Sequence, residues 1–310
     1  MKIRHSAKII IREVGKVCTN NILVTGGAGF VGSHLCERLS QDVKNNVVSL
    51  DNYFTGRVEN HVSNVTYVTG HTEDIHKIPA LMHIKFDHVY HLGEYSRVEQ
   101  SFDDFELVWK YNILGTKEVL KFAKYNNAKL IYTGSSTKFV NHENYIQSPY
   151  AWSKASNTEF VKQFCNWHNM EYAITYFYNV YGKREIQEGK YSTLIAKYAK
   201  LMQMNKPLPV VLPGTQKRNF THIDDIIDGL IIIGNHGNGD EYGIGNPTEY
   251  SVLEVTEMFG TNEIKYLEER RGNRMYAPVI SKKTEALGWS PKRNLVEYID
   301  KLKENGYSYE

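Results

Sequence analysis

The 310-residue sequence lacks cysteine-rich motifs, long apolar runs and any excess of one charge. Cys18, Cys36 and Cys165 are too few and too far apart for a disulfide framework, so we expect a reducing, cytoplasmic location. No apolar run reaches the roughly 18 residues that cross a bilayer, and residues 1–20 lack the apolar core of a signal peptide. With 37 Lys and Arg against 35 Asp and Glu, neither nucleic acid nor a membrane is expected as a partner, and no metal site is expected.

The sequence does contain a regular alternation of short apolar runs and amphipathic stretches. Buried strands are predicted at residues 21–25, 47–50, 65–68, 89–92 and 130–132. Helices are predicted between and after them, notably at residues 32–39, 108–125 and 150–167. Strongly apolar strands that alternate with helices predict an α/β fold, in which a parallel sheet is covered on both faces.

The character of the chain changes after residue 182, where prolines and glycine interrupt short strands behind a helix predicted at 192–204. We therefore predict a larger domain over residues 21–182, with a return segment at about 220–247. A smaller, substrate-binding domain is predicted over 183–219 and 248–310, and residues 1–20 form an N-terminal extension.

A glycine motif joins the first predicted strand to the first helix. Gly26, Gly29 and Gly32 have the spacing G-x-x-G-x-x-G, which allows a tight turn and lets a pyrophosphate approach the helix N-terminus. Asp51 ends the next strand, where a carboxylate accepts hydrogen bonds from a ribose diol and repels a 2′-phosphate. The pattern predicts a Rossmann-like, doubly wound sheet that binds NAD, although Arg57 leaves NADP open.

A candidate catalytic trio follows the fifth strand. Tyr150 and Lys154 lie four residues apart on one face of a predicted helix. Free tyrosine ionises near pH 10, but a lysine ammonium one turn away stabilises the phenolate, so that the pair can take a proton from a sugar hydroxyl. Ser136 is placed to hydrogen-bond the reacting oxygen. Tyr125 and Lys129 repeat the spacing, and we interpret them as a helix end that runs into a strand.

Together these motifs resemble the extended short-chain dehydrogenase/reductases of the nucleotide-sugar epimerase/dehydratase family, over roughly residues 20–300. The segments that carry the resemblance are residues 25–32, 51–52, 91–92, 112 with 115–116, 135–136, 150 with 154, 179–182, 218–225 and 287–289. The resemblance implies a tightly held NAD, a nucleoside-diphosphate sugar in the cleft and hydride removal from C4 of that sugar.

The resemblance also assigns residues to roles. The positions it implies for NAD are Gly26, Gly29, Phe30, Val31, Gly32, Asp51, Asn52, Leu92, Asn112, Tyr150 and Lys154. The positions it implies for the substrate are Lys138, Asn179, Arg218 and Arg271, with Arg270 and Arg274 as competitors of Arg271. A homodimer is expected as well, because helices 108–125 and 150–167 carry more apolar and aromatic residues than one sheet face requires.

Two departures from the family pattern bear on the reaction. The 4,6-dehydratases of the family usually have an Asp-Glu or Asp-Lys pair where this chain has Thr137 and Lys138, and a threonine hydroxyl cannot act as the acid. Lys138 remains open as a base or as an exposed loop cation. The family usually has small residues after the fourth strand, but here Glu94 follows Gly93. Glu94 or Glu143 remains open as a carboxylic acid that replaces, from another position, the acid missing at Thr137.

The sequence therefore favours an NAD-dependent epimerase acting at C4 of a nucleoside-diphosphate sugar through a transient 4-keto intermediate. A 4,6-dehydratase or ketosugar reductase on the same scaffold is the alternative. A non-catalytic NAD-binding protein is disfavoured, because a binding module has no need of the phenol–lysine pair.

Overall fold

The computed structural model describes residues 19–136, 148–261, 263–269 and 275–309. Its strands are β1 Asn20–Thr25, β2 Asn45–Asp51, β3 Val65–Thr69, β4 His88–His91, β5 Lys129–Ser135, β6 Tyr172–Phe177, β7 Val180–Tyr181, β8 Leu208–Val211, β9 Lys217–Asn219, β10 Thr221–His222, β11 Gly239–Ile244, β12 Glu249–Ser251 and β13 Ile264–Leu267. Its helices are α1 Phe30–Ser40, α2 Pro79–Met82, α3 Phe105–Val108, α4 Gly115–Asn126, α5 Pro149–Trp167, α6 Leu194–Gln203, α7 Ile223–His236, α8 Val252–Met258, α9 Lys282–Glu285 and α10 Leu295–Glu304. A π-helical stretch, Trp109–Leu114, joins α3 to α4.

A seven-stranded sheet in the order β11-β6-β5-β4-β1-β2-β3 is the centre of the molecule. All its strand pairs are parallel. Successive residues of β1 enter opposite cores: Leu23 packs on one face, and Ile22 and Val24 pack on the other. The predicted α/β fold with a parallel sheet covered on both faces is confirmed.

A third apolar cluster lies apart from the sheet. It is built by Tyr181 and Phe220 together with residues of α6, β8, α8 and α10. The cluster draws on both segments of the predicted smaller domain, and the domain boundaries themselves stay a prediction.

Two strands of the sheet go beyond the sequence prediction, since β6 and β11 extend it past β5. Two glycines of the return segment lie within regular elements: Gly234 lies in α7 and Gly239 begins β11. The interpretation of Tyr125 and Lys129 is confirmed, since α4 ends at Asn126 and β5 begins at Lys129. Within the described part of the chain, every helix is too short or too polar to cross a membrane.

Candidate active site

The turn between β1 and α1 is built by glycines that a side chain would disrupt. Gly26 has a φ of +73°, and a Cβ there would lie 2.9 Å from the Cα of Gly93. A Cβ at Gly32 would lie 2.1 Å from the carbonyl oxygen of Gly26. Gly29 caps α1 with no side-chain hydrogen bond, so the first N–H groups of the helix remain available to an anion.

Asp51 is fixed beside this turn by the backbone around it. Its carboxylate accepts hydrogen bonds from the N–H groups of Ala28, at 2.9 Å, and Tyr53, at 2.8 Å. Burial raises the pKa of Asp51, and these backbone hydrogen bonds oppose the rise. Each carboxylate oxygen can accept a second hydrogen bond, as a ribose diol requires. Arg57 is exposed and lies outside the residues that line the cleft.

One cleft of about 880 Å³ follows the carboxyl edge of the sheet from this turn to residues of α6, β8 and β9. The predicted site residues that line it are Gly26, Gly29, Phe30, Val31, Gly32, Asp51, Asn52, Leu92, Ser136, Tyr150, Lys154, Asn179 and Arg218. The residues that bear on the reaction but lie outside the described part of the chain are Thr137, Lys138, Glu143 and Arg270, Arg271 and Arg274.

Asn112 is the one described site residue that does not line the cleft. Its side chain is fully buried, where its amide oxygen accepts from the backbone N–H of Tyr95 at 2.7 Å. Its amide nitrogen donates to the carbonyl of Tyr95 and the hydroxyl of Ser153. Asn112 therefore braces the segment after β4 against α5.

The start of α5 sets the positions of Tyr150 and Lys154. Ser148 caps the helix by accepting a hydrogen bond from the N–H of Ala151, and Pro149 occupies the first turn, where no N–H is required. Tyr150 is half-buried, Lys154 is buried, and Ser136 is buried at the end of β5. All three line the cleft.

Glu94 is bound to Lys154 in an ion pair and is not free to act as a replacement acid. The Nζ of Lys154 donates to Oε2 of Glu94 and to the carbonyl oxygen of Thr133. Burial opposes ionisation of Glu94, but the charge of Lys154 and its hydrogen bonds outweigh burial and hold the pKa of the carboxyl below its usual value.

Two further ionisable residues line the cleft, Arg97 and Glu185, and neither is predicted as a site residue from the sequence. The guanidinium of Arg97 donates to the carbonyl oxygen of Tyr191 at 2.7 and 2.9 Å and also to Ser96. Within the described chain no carboxylate forms an ion pair with it. Glu185 accepts from the N–H of Gly182 at 2.9 Å, and burial raises its pKa to about 7. Arg97 lies three residues after Glu94, and the departure from the family pattern at Glu94 is the only sequence signal near it.

A family model and several known proteins match most of this chain. The model of the NAD dependent epimerase/dehydratase family matches residues 22–245. UDP-glucuronic acid decarboxylase 3 of Arabidopsis thaliana is 32% identical, over 94% of this chain and 90% of its own length. The dTDP-D-glucose 4,6-dehydratase of Bos taurus is 30% identical, over 91% and 87% respectively. In the solved structure of epimerase Mth375 from Methanothermobacter thermautotrophicus, 94% of the chain aligns with 93% of this one, at 25% identity and a TM-score of 0.85.

The chain belongs to the NAD dependent epimerase/dehydratase family, as the match over most of its length shows. The expected resemblance is confirmed, and NAD is the cofactor of the family. The relatives include a decarboxylase and a dehydratase at comparable identity, so the comparisons establish nucleotide-sugar chemistry of this family and do not choose one reaction.

Proposed function

We propose that this member of the NAD dependent epimerase/dehydratase family inverts C4 of a nucleoside-diphosphate sugar through a 4-keto intermediate. Three features support the proposal: the glycine turn, the Tyr150–Lys154 pair in the same cleft, and the commitment of Glu94 to Lys154.

The residues of the β1–α1 turn fit NAD. The turn has no room for side chains at Gly26 and Gly32, and its helix N-terminus suits a pyrophosphate. Asp51 is assigned to the adenosine ribose, with Asn52 and Leu92 beside the same cleft. When bound, NAD supplies the acceptor for the hydride of C4 and the donor that returns it.

In this proposal Tyr150 moves the proton of the C4 hydroxyl. Its phenolate accepts that proton as the carbon is oxidised and gives it back after the 4-keto sugar has turned over in the cleft. Lys154 stabilises the phenolate, and Ser136 hydrogen-bonds the reacting oxygen. Asn179 and Arg218 contact the diphosphate or nearby groups, and the guanidinium fork of Arg218 matches phosphate oxygens.

The observation that carries the choice of epimerisation is the position of Glu94, which of the two acids left open by the sequence, Glu94 and Glu143, is the one within the described residues. Loss of water from C5 and C6 requires an acid at the C6 hydroxyl, and Glu94 already takes hydrogen bonds from four side chains. Glu185 titrates in a suitable range, but its Oε1 is shielded from solvent and its Oε2 accepts from the backbone of Gly182. Thr137 offers no acid.

The test is proton NMR of the purified protein in deuterated water with a panel of nucleoside-diphosphate hexoses and hexuronic acids. We expect the C4 epimer to accumulate, with C5 still protonated and the C6 group unchanged. A new methyl signal with deuterium at C5 would identify a dehydratase. A pentose product would identify a decarboxylase, and either result overturns the proposed reaction.

A homodimer belongs to the same proposal. Trp109 and Trp152 stack with ring centroids 5.9 Å apart and planes 7° apart, and both remain more than a third exposed. Phe105 stands beside Trp109 and is also exposed. A second copy of this helix face is a suitable cover for such a patch, since closed two-fold contacts pair a surface with itself.

A further inference from the structure

The Glu94–Lys154 ion pair is almost completely removed from solvent. The side chain of Lys154 is 6% exposed and that of Glu94 is 3% exposed. Burying two charges costs about as much as their attraction returns, so such a pair is weak evidence of a stabilising role. Both residues line the cleft that Tyr150 also lines, so a role in the site is the better explanation.

Three neighbouring elements hold the second oxygen of Glu94. Its Oε1 accepts from the hydroxyl of Thr116 in α4 at 2.7 Å and from the amide of Asn157 in α5 at 2.8 Å. It also accepts from the hydroxyl of Tyr132 in β5 at 3.2 Å. A carboxylate fixed in this way can fix its partner, so the ammonium of Lys154 is held between Glu94 and the Thr133 carbonyl.

We propose that Glu94 is a positioning residue that holds Lys154 one helical turn from Tyr150 and offsets the lysine charge there. The pH dependence of proton transfer by Tyr150 is then set by the ion pair and not by Lys154 alone. The inference rests on the proposed acid–base role of Tyr150, and it holds whichever reaction of the family the enzyme performs.

The other titratable groups around the pair do not replace Glu94. His91, at the end of β4, is buried, which lowers its pKa to about 4 and leaves the ring neutral at pH 7. Burial raises the pKa of Tyr132 far above its usual value, so this phenol is also neutral. Arg97 adds a second positive charge that interacts with Tyr150. Glu94 is therefore the anion that balances Lys154 within the described residues.

Removal of the Glu94 charge should let Tyr150 ionise at lower pH, because Lys154 and Arg97 would then act on the phenol without the opposing charge of Glu94. For Glu94→Gln we expect a downward shift on the order of one pH unit, the size that a nearby buried charge produces. Glu94→Asp keeps the charge, so the pH at which Tyr150 ionises should stay near that of the wild type. Its shorter side chain should hold Lys154 less well and lower kcat. Glu171→Gln removes an exposed carboxylate at the opposite edge of the sheet and is the matched control.

Two measurements test the proposal. The first is the pH profile of kcat/KM for each variant. The second needs no turnover: near-ultraviolet absorbance of tyrosinate is titrated in each variant of the isolated protein and compared with the same variant carrying Tyr150→Phe. A missing reaction with every nucleotide sugar would therefore refute the proposed function and leave this test intact.

A second pair of variants guards against misfolding of Glu94→Gln. Lys154→Met leaves the Glu94 charge unpaired, whereas Lys154→Met with Glu94→Gln removes both charges and leaves no buried ion to destabilise the fold. Tyr150 should ionise at lower pH in the double variant than in Lys154→Met. The inference would be overturned if Tyr150 ionised at the same pH in Lys154→Met and in the double variant. It would also be overturned if Tyr150 ionised at the wild-type pH in a folded Glu94→Gln variant.

Discussion

At the scale of the residue, environment and not spacing separates a reactive tyrosine from an ordinary one. Tyr125 and Lys129 have the same spacing as Tyr150 and Lys154, but Tyr125 is 67% exposed at the end of α4. Tyr150 lines the cleft, as Ser136 does, and Lys154 is buried on the same helix. The same Tyr-x-x-x-Lys spacing therefore occurs once at an exposed helix end and once in the cleft.

We predict that Tyr150→Phe lowers kcat at least about 100-fold, the usual contribution of a positioned acid–base group. Retention of NAD and the melting temperature should stay unchanged, because no hydrogen bond of the fold within the described chain depends on the hydroxyl. Tyr125→Phe, which makes the same chemical change at the exposed copy of the motif, should keep the wild-type rate. A rate near that of the wild type for Tyr150→Phe would remove this residue from the proposed mechanism.

Asp51→Ala should weaken the binding of NAD more than that of NADP. The carboxylate is placed to accept from the ribose diol and to repel a 2′-phosphate, so both effects are lost together. Because Asp51 also holds the N–H groups of Ala28 and Tyr53, Asp51→Asn is the second variant, which keeps an acceptor for the turn. Binding titrations of both cofactors to both variants measure the ratio, and an unchanged preference would contradict the assignment.

At the scale of the element, the sequence predicts strands that have a local apolar pattern. It misses strands that depend on pairing with residues far along the chain. The first five strands were predictable because each is a short apolar run whose neighbours enter opposite cores. β11 was not, since Gly239 and two acidic residues begin it and its pairing with β6 shifts register before Tyr242. The sequence marks Glu94 as a departure from the family pattern, but only the fold brings Lys154, Thr116 and Asn157 around it.

The exposed face of α3, the π-helical stretch and α5 leads to a prediction about assembly. We expect a homodimer in solution, and Trp109→Arg with Trp152→Arg should convert it to a monomer, because two buried guanidinium groups without partners would oppose association. Tyr266→Arg changes an aromatic side chain of β13 that is 56% exposed and should leave the dimer intact. Light scattering at micromolar concentration measures the mass, and a wild-type monomer would contradict the proposal.

At the scale of the whole molecule, buried ionisable groups link stability to pH in opposing directions. Burial lowers the pKa of His91 to about 4, so the folded state binds fewer protons there than the unfolded state and gains stability as pH rises from about 4 to 6.5. Glu185 acts in the opposite direction, because burial raises its pKa from 4.5 to about 7. The dependence of wild-type stability on pH therefore cannot be attributed to either residue alone. Only a comparison of variants with the wild type separates the two contributions.

Glu185 ties distant parts of the chain together, since its Oε2 accepts from Gly182 after β7 and lies 3.4 Å from the hydroxyl of Tyr309 near the C-terminus. Between about pH 4.5 and 7 the folded state holds a proton on Glu185 that the unfolded state has released, so this residue lowers the free energy of unfolding as pH rises. The loss is complete above pH 7 and amounts to about 3 kcal/mol.

Glu185→Gln removes the titration and should stabilise the protein at pH 8 relative to the wild type, with a smaller difference or a reversed one at pH 5. Urea unfolding at both pH values measures the effect, with Glu188→Gln, an exposed carboxylate of the same loop, as the control. If the stability difference between Glu185→Gln and the wild type were the same at both pH values, Glu185 would not be the group that titrates.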